Sequence, residues 1–204
     1  MKTRTVAIWV VCIAVLVVLL SWNHLFPQKS TVTVSTPDSL HGIQTGNIPW
    51  APELPHLLAR LKAIGLPALS AEGNALHIHQ HIDLVINNAT TSIPAEIGIN
   101  EAAGFISPIH THDTSGIVHV ESNIVRDFTL GQVFDIWGVR FSTNCIGSYC
   151  ADAMHSLRVY VNGTQLSGDF RGLVLAPHQE IMVVYGPASS TPKAISSFTF
   201  PPGY

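Results

Sequence analysis

From Leu76 to Ile86 apolar and polar residues alternate, in LHIHQHIDLVI. Side chains i and i+2 of a strand share a face. The pattern predicts a strand whose Ile78, Ile82, Leu84 and Ile86 face a core, with His77, His79, His81 and Asp83 on the other side. Asn87-Asn88 can turn, and TTSIPAEIGI returns as the second arm of a hairpin. Ile106 to Ser122 reads as extended chain broken at Thr114-Ser115-Gly116. In its last part Val118 and Val120 face one way, His119 and Glu121 the other.

Two stretches switch to helical spacing. Leu54, Leu57, Leu58, Leu61 and Ile64 predict a short amphipathic helix, with Pro52 and Pro55 at its start and Gly65 and Pro67 as stops. Leu130, Val133, Phe134 and Trp137 predict a second helix over LGQVFDIWGV. Thr129 is its N-cap and Asp127 lies near its positive end. LRVYVNG with its Asn-Gly turn, the short apolar piece GLVLAP, and EIMVVYG complete the domain as strands. Asn88-Ala-Thr and Asn162-Gly-Thr match the glycosylation pattern, and both also read as turns.

This order of elements predicts an α+β domain: a small mixed sheet packed on one helix, similar to the β-grasp arrangement. An all-β cupredoxin-like or cupin-like barrel is the alternative. The domain is expected over residues 71–190, after a helical segment at 47–70 and before a C-terminal tail at 191–204.

The first residues change the picture. Residues 6–22, VAIWVVCIAVLVVLLSW, follow Lys2 and Arg4 and are long enough to span a bilayer. Residues 1–22 are therefore expected to anchor the chain, with the rest outside the cytoplasm. A cleaved signal peptide and a secreted product is the competing reading, although no A-x-A site follows. Residues 23–46 are rich in Ser, Thr, Pro, Gln and Asn and read as a flexible stalk. Charged residues make up only 11% and form no basic run, so no nucleic-acid partner is expected. The membrane is the one partner the sequence suggests; it names no protein partner. Cys145 and Cys150, in CIGSYC, are expected to form a disulfide in an oxidising compartment.

Six of the eleven histidines lie between residues 77 and 121. They are His77, His79 and His81 in HIHQH, His110 and His112 in PIHTHD, and His119 two residues before Glu121. Imidazoles beside carboxylates suit a first-row transition metal. Alternate strand residues stand about 6.6–7 Å apart, so three in a row span about 13 Å and do not converge on one ion. Two of His77, His79 and His81 are expected to meet His110, His112 or His119, with Glu121 as a further ligand. Asp113 and Asp83 are expected to orient the imidazoles. His24, His41 and His56 read as incidental, while His155 and His178 flank turns. The cluster lacks Cys and Met, so Cu(II) or Zn(II) fits better than Cu(I). A blue-copper set of Cys150, Met154 and His155 requires a free thiol, and HTHDTSGIVHVE is similar to the cupin pattern but its spacing after His110-x-His112 departs from it. No G-x-S-x-G elbow or phosphate-binding glycine loop occurs.

Together, GLPALSAEG, HIHQHIDLVIN, IPAEIGI, ISPIHTHDTSGIVHVES, FTLGQVFDIWGV, the Cys pair and VYVNG resemble a family of exported or membrane-anchored His-rich bacterial and archaeal proteins. That family has no assigned activity, so the resemblance implies location and no catalytic residue. Three functions compete: a membrane-tethered module binding Cu(II) or Zn(II), a metalloenzyme with an open coordination position, and an interaction domain whose histidines respond to pH. A pocket beside the ligands separates the second from the first.

Overall fold

The computed structural model describes residues 39–204. The expected anchor at 6–22 and most of the stalk lie outside the described residues. Among the described residues no helix is long and apolar enough to cross a membrane.

The chain forms helix α1 (Leu57–Ala63), the long strand β1 (Leu76–Ile86) and its short return β2 (Ala89–Thr91). Strands β3 (Ile99–Asn100), β4 (Phe105–Ile106), β5 (Ile109–His110) and β6 (Ile117–Ser122) follow, then helix α2 (Leu130–Trp137). Strands β7 (Cys145–Ile146), β8 (Tyr149–Cys150), β9 (His155–Val161), β10 (Thr164–Gln165) and β11 (Glu180–Pro187) end the series. The main sheet runs β10-β9-β11-β1-β6-β5, with β2 also beside β1. β1 and β11 pair in parallel; the other pairs of this sheet are antiparallel. The fold is therefore α+β, as the two periodicities predict, and not an all-β barrel.

β1 changes neighbours along its length. Leu76 to His81 pair with β6, and His81 to Ile86 pair with β11. Both Asn87-Asn88 and Asn162-Gly163 have positive φ, as tight hairpin turns require. The first hairpin is shorter than expected, because β2 holds three residues before the chain leaves the sheet. GLVLAP is not a strand either: it makes only a bridge between Val174 and Thr129 at the start of α2.

The even positions of β1 behave as the alternation predicts. Ile82, Leu84 and Ile86 are buried in the core, with Ile78 packed against it. α2 lies against this inner face and all eight of its residues are buried. Gln132 closes its N-terminus by accepting a hydrogen bond from the Thr129 amide at 3.0 Å. Its C-terminal carbonyls need donors, and α1 brings one. The buried Arg60 guanidinium donates to Asp135 O at 2.7 Å and to Ile136 O at 3.0 Å, and also pairs with Glu53. Leu57 and Leu61 of α1 belong to the same core, so residues 47–70 pack as part of the domain.

The outer face of the sheet is covered in part by the chain's own end. Ala194 packs on Tyr160, Met182 and Val184. Phe198 lies flat on His81, with ring centroids 3.8 Å apart, and Tyr204 sits 4.8 Å from His79.

Candidate metal centre

Strand register builds the site. β1, β6 and β5 lie side by side, with His79 opposite His119 and His119 opposite His110. One row along, His77 stands opposite Glu121. Each of these residues has the parity that points away from Ile82, Val118 and Val120, so all project from the outer face. His112 follows β5 at the same parity as His110. Thr111 between them is fully buried, its hydroxyl donating to Pro94 O at 2.8 Å and accepting from the Ile97 amide at 3.1 Å. That anchor holds the turn that aims His112 back toward His110.

The imidazoles converge in pairs. His77 Nε2 and His79 Nε2 are 3.0 Å apart, and His110 Nε2 and His112 Nε2 are 3.2 Å apart. Two nitrogens about 2.0–2.1 Å from one tetrahedral ion stand about 3.3 Å apart, so both pairs are near ligand spacing. The His119 ring lies between them, 4.6 Å from the His79 centroid and 4.6 Å from the His112 centroid. Glu121 is 4% exposed and shared: Oε1 is 3.1 Å from His77 Nε2 and 3.1 Å from His119 Nδ1, while Oε2 is 3.9 Å from His110 Nε2. Two ligand sets result, His77-His79-His119-Glu121 and His110-His112-His119-Glu121, the atoms of each within 4.8 Å of one another.

Tautomers are set for ligation at one position at least. A carbonyl accepts only, so the His110 Nδ1 that lies 3.0 Å from Ser107 O carries a hydrogen. The neutral ring then presents its Nε2 lone pair to the cluster, the arrangement metal-binding histidines use. Electrostatics favour the neutral form. Burial, and after it the neighbouring histidines, push His119 down to about 3. Burial leads again at His110, pushed down to about 4, and lowers His79 with help from His77 and His178. Burial beside Glu72 pushes Glu121 up to about 7. At neutral pH these three imidazoles are therefore bare donors around a carboxylate ready to ionise.

His81 leaves the group, so the two β1 histidines that meet the other set are His77 and His79. The His81 Nδ1 is 2.8 Å from Glu180 Oε2 and its Nε2 is 2.9 Å from Ser115 O. Ser115 O only accepts, so Nε2 carries a proton, and the Glu180 contact occupies Nδ1; neither nitrogen turns a lone pair to the cluster. Burial alone lowers the His81 pKa, but the Glu180 hydrogen bond and charge, with Asp83 and Ser115, outweigh it and raise it. His81, Asp83 and Glu180 do lie within 4.8 Å of one another; burial and Asp83 raise the Glu180 carboxyl as well, so His81 and Glu180 share a proton and the three form a hydrogen-bonded acid–base cluster. Gly116 leaves the room: a Cβ there would sit 2.8 Å from His81 Nε2, and its φ of +88° suits glycine.

The two aspartates expected to orient imidazoles take different places. Asp113 accepts from the Ser115 amide at 2.8 Å and caps a turn rather than orienting His112. Asp83 stands 3.9 Å from His81 Nδ1 and serves that acid–base cluster. Glu72, which the sequence did not suggest, takes the place beside His112, with its Oε1 3.4 Å from Nε2. The neighbouring Gly73 makes this possible, since any Cβ there would lie 2.2–2.5 Å from the Ser122–Asn123 backbone. The Ser-Ala-Glu-Gly turn thus presses onto the end of β6 and carries Glu72 to the cluster; a glycine after an acidic residue was the only trace of it in the sequence.

Of the other histidines, His178 approaches the site, its amide donating to His79 O at 2.7 Å. His155 stacks on Tyr185 beside Asp152, and His41 stacks on His56, all away from the cluster. Cys145 and Cys150 form a disulfide. That removes the free thiol on which a blue-copper site at Cys150, Met154 and His155 depends. A cavity of about 300 Å³ opens against the first set, lined by His77, Ile78, His79, Pro177, His178, Gly203 and Tyr204.

The site can hold a cation through nitrogen and carboxylate ligands, and its donor set is that of a borderline transition ion rather than Mg(II) or Ca(II), which take oxygen. Comparison with protein-family models, curated proteins and solved structures gives no significant match, so the chemistry of these residues is what speaks for function.

Proposed function

We propose that this domain binds a divalent first-row transition ion, Cu(II) or Zn(II), through His77, His79, His110, His112, His119 and Glu121, as a module tethered to a membrane outside the cytoplasm. The observation that carries the reading is the convergence of paired imidazole nitrogens at 3.0 and 3.2 Å beside a buried carboxylate. Three of those rings are held neutral, and ligation requires neutral imidazole. The disulfide agrees with an oxidising compartment. In fold the domain reads as β-grasp-like, on the parallel pairing of its first and last long strands. Between Cu(II) and Zn(II), the general affinity order favours Cu(II) when both are offered.

A second reading rests on the cavity against His77 and His79. An ion bound there could keep one position open to a small molecule, as a metalloenzyme does. Isothermal titration of the full chain, purified without a metal-affinity step, tests the binding claim for each ion. A dissociation constant below roughly 10 μM is expected, about −7 kcal/mol. Absence of binding at that level removes both readings.

A further inference from the structure

We infer that the centre is built for two ions bridged by Glu121, with His77 and His79 holding one, His110 and His112 the other, and His119 completing one of the two sets. The inference rests on the metal-binding reading above and specifies it.

One ion cannot use all the ligands. Atoms bound to the same ion at about 2.0–2.2 Å lie at most about 4.4 Å apart. Yet the nitrogens form two groups at the 4.8 Å limit, not one, and only His119 and Glu121 belong to both. Each group has its own imidazole pair already near ligand spacing, and the His119 ring stands 4.6 Å from one ring of each pair. A neutral imidazole has one lone pair, so His119 serves a single ion. A carboxylate has two oxygens, and those of Glu121 are divided: Oε1 faces His77 and Oε2 faces His110. That division is what a bridging carboxylate needs.

Charge points the same way. Glu121 is buried and interacts with a second carboxylate, Glu72, which itself stands beside His112. Among the described residues the cationic groups within 4 Å of Glu121 are histidines, with no Lys or Arg. A buried carboxylate facing a second, exposed one without a fixed cation is costly, and adjacent divalent ions balance the pair. Glu72 is placed to serve the ion held by His110 and His112. Paired ions in proteins commonly stand about 3.5–4 Å apart, within the reach of one carboxylate.

The experiment uses the full chain, stripped of metal and returned to Zn(II) or Cu(II). Bound zinc, measured by elemental analysis after dialysis, is expected at two per chain. Electron paramagnetic resonance of the copper form is expected to show spin coupling, with a half-field transition, once the second equivalent binds. These wild-type measurements do not depend on any variant folding. H77N/H79N and H110N/H112N should each retain one ion and lose the coupling. One zinc per chain, or two copper ions without coupling, overturns the bridge and leaves the binding reading intact. No bound metal overturns both. A double variant that unfolds cooperatively yet keeps both ions, or loses both, overturns the assignment of the pairs.

Discussion

Replacing His81 by Leu separates a structural histidine from a ligand. His81 is 5% exposed and Glu180 is fully buried, and their 2.8 Å contact is the closest charged partnership of either. H81L leaves Glu180 buried with Asp83 as its near neighbour. Removing one member of a buried pair costs about 3–5 kcal/mol. The lost bond to Ser115 O adds about 1 kcal/mol, and the leucine's apolar burial against Phe198 returns about as much. The net expectation is about 3–4 kcal/mol, or about 10 °C in Tm for a domain of this size. Urea unfolding of the metal-free protein reads the stability, and zinc titration reads the site. Affinity for zinc should be unchanged within about threefold. The effect has a pH signature. The folded pKa of His81 lies above its unfolded value. Its contribution is therefore fully present below about pH 6.5 and fades as pH climbs through the folded value. Wild type and H81L should thus converge in stability as the solution becomes alkaline. A variant that keeps wild-type stability but loses zinc would refute the reasoning and return His81 to the ligand set.

Three further outcomes follow from the same contacts. Glu121 must ionise to ligate, and burial and Glu72 push it up to about 7, so at pH 6 it should add about one proton, absent at pH 8, to those the imidazoles release on zinc binding; titration in buffers of different ionisation enthalpy measures the release, and E121Q should lower it by about that one proton. Closing the short Cys145–Cys150 loop is worth about 2 kcal/mol, so C145S/C150S should lower the unfolding free energy by that amount, and alkylation without reduction should leave both cysteines unlabelled in wild type. F198A removes the ring stacked on His81 and should cost about 1–2 kcal/mol, with faster amide exchange through residues 191–204; unchanged exchange there would mean the stack does not hold the tail.

Much of the site was legible because one physical rule produced it. Strict alternation fixes which side of β1 and β6 is apolar, and burying Ile82, Leu84, Val118 and Val120 sends His77, His79, His119 and Glu121 to the other side. The helices were legible for a similar reason, since Thr129 and the spacing to Trp137 act within a single turn or two. What the sequence hid depends on contacts far along the chain. Glu180 is 99 residues from His81, and nothing local tells that this histidine is doubly bonded while its neighbours are not. Glu72 reaches His112 only because the turn at Gly73 packs on β6. GLVLAP is apolar enough for a strand, but its carbonyl and amide at Leu173 and Leu175 bond to the flanks of α2 instead of a sheet. The tail FTFPPGY has no period at all, and its place follows from rings that need a surface.

His81 also explains why the outer face carries two different environments. It is the residue at which β1 exchanges β6 for β11 as a pairing partner. Beyond it, Val85 sits with Met182, Val184 and Tyr160 under Ala194, an apolar patch closed by the tail. Before it, β1 has no strand on the β11 side. The loop at 177–179 takes over, with the His178 amide donating to His79 O and the His81 amide to Gln179 O. A loop stands in for a strand there, and beside it the cavity reaches His77 and His79. Ions require such an opening, whereas the patch beyond His81 requires closure. The ring between them binds Glu180 on one edge, Ser115 on the other and Phe198 on its face, so the same side chain ends the apolar patch and begins the polar site. A third ligand histidine at this position would have cost the sheet that boundary.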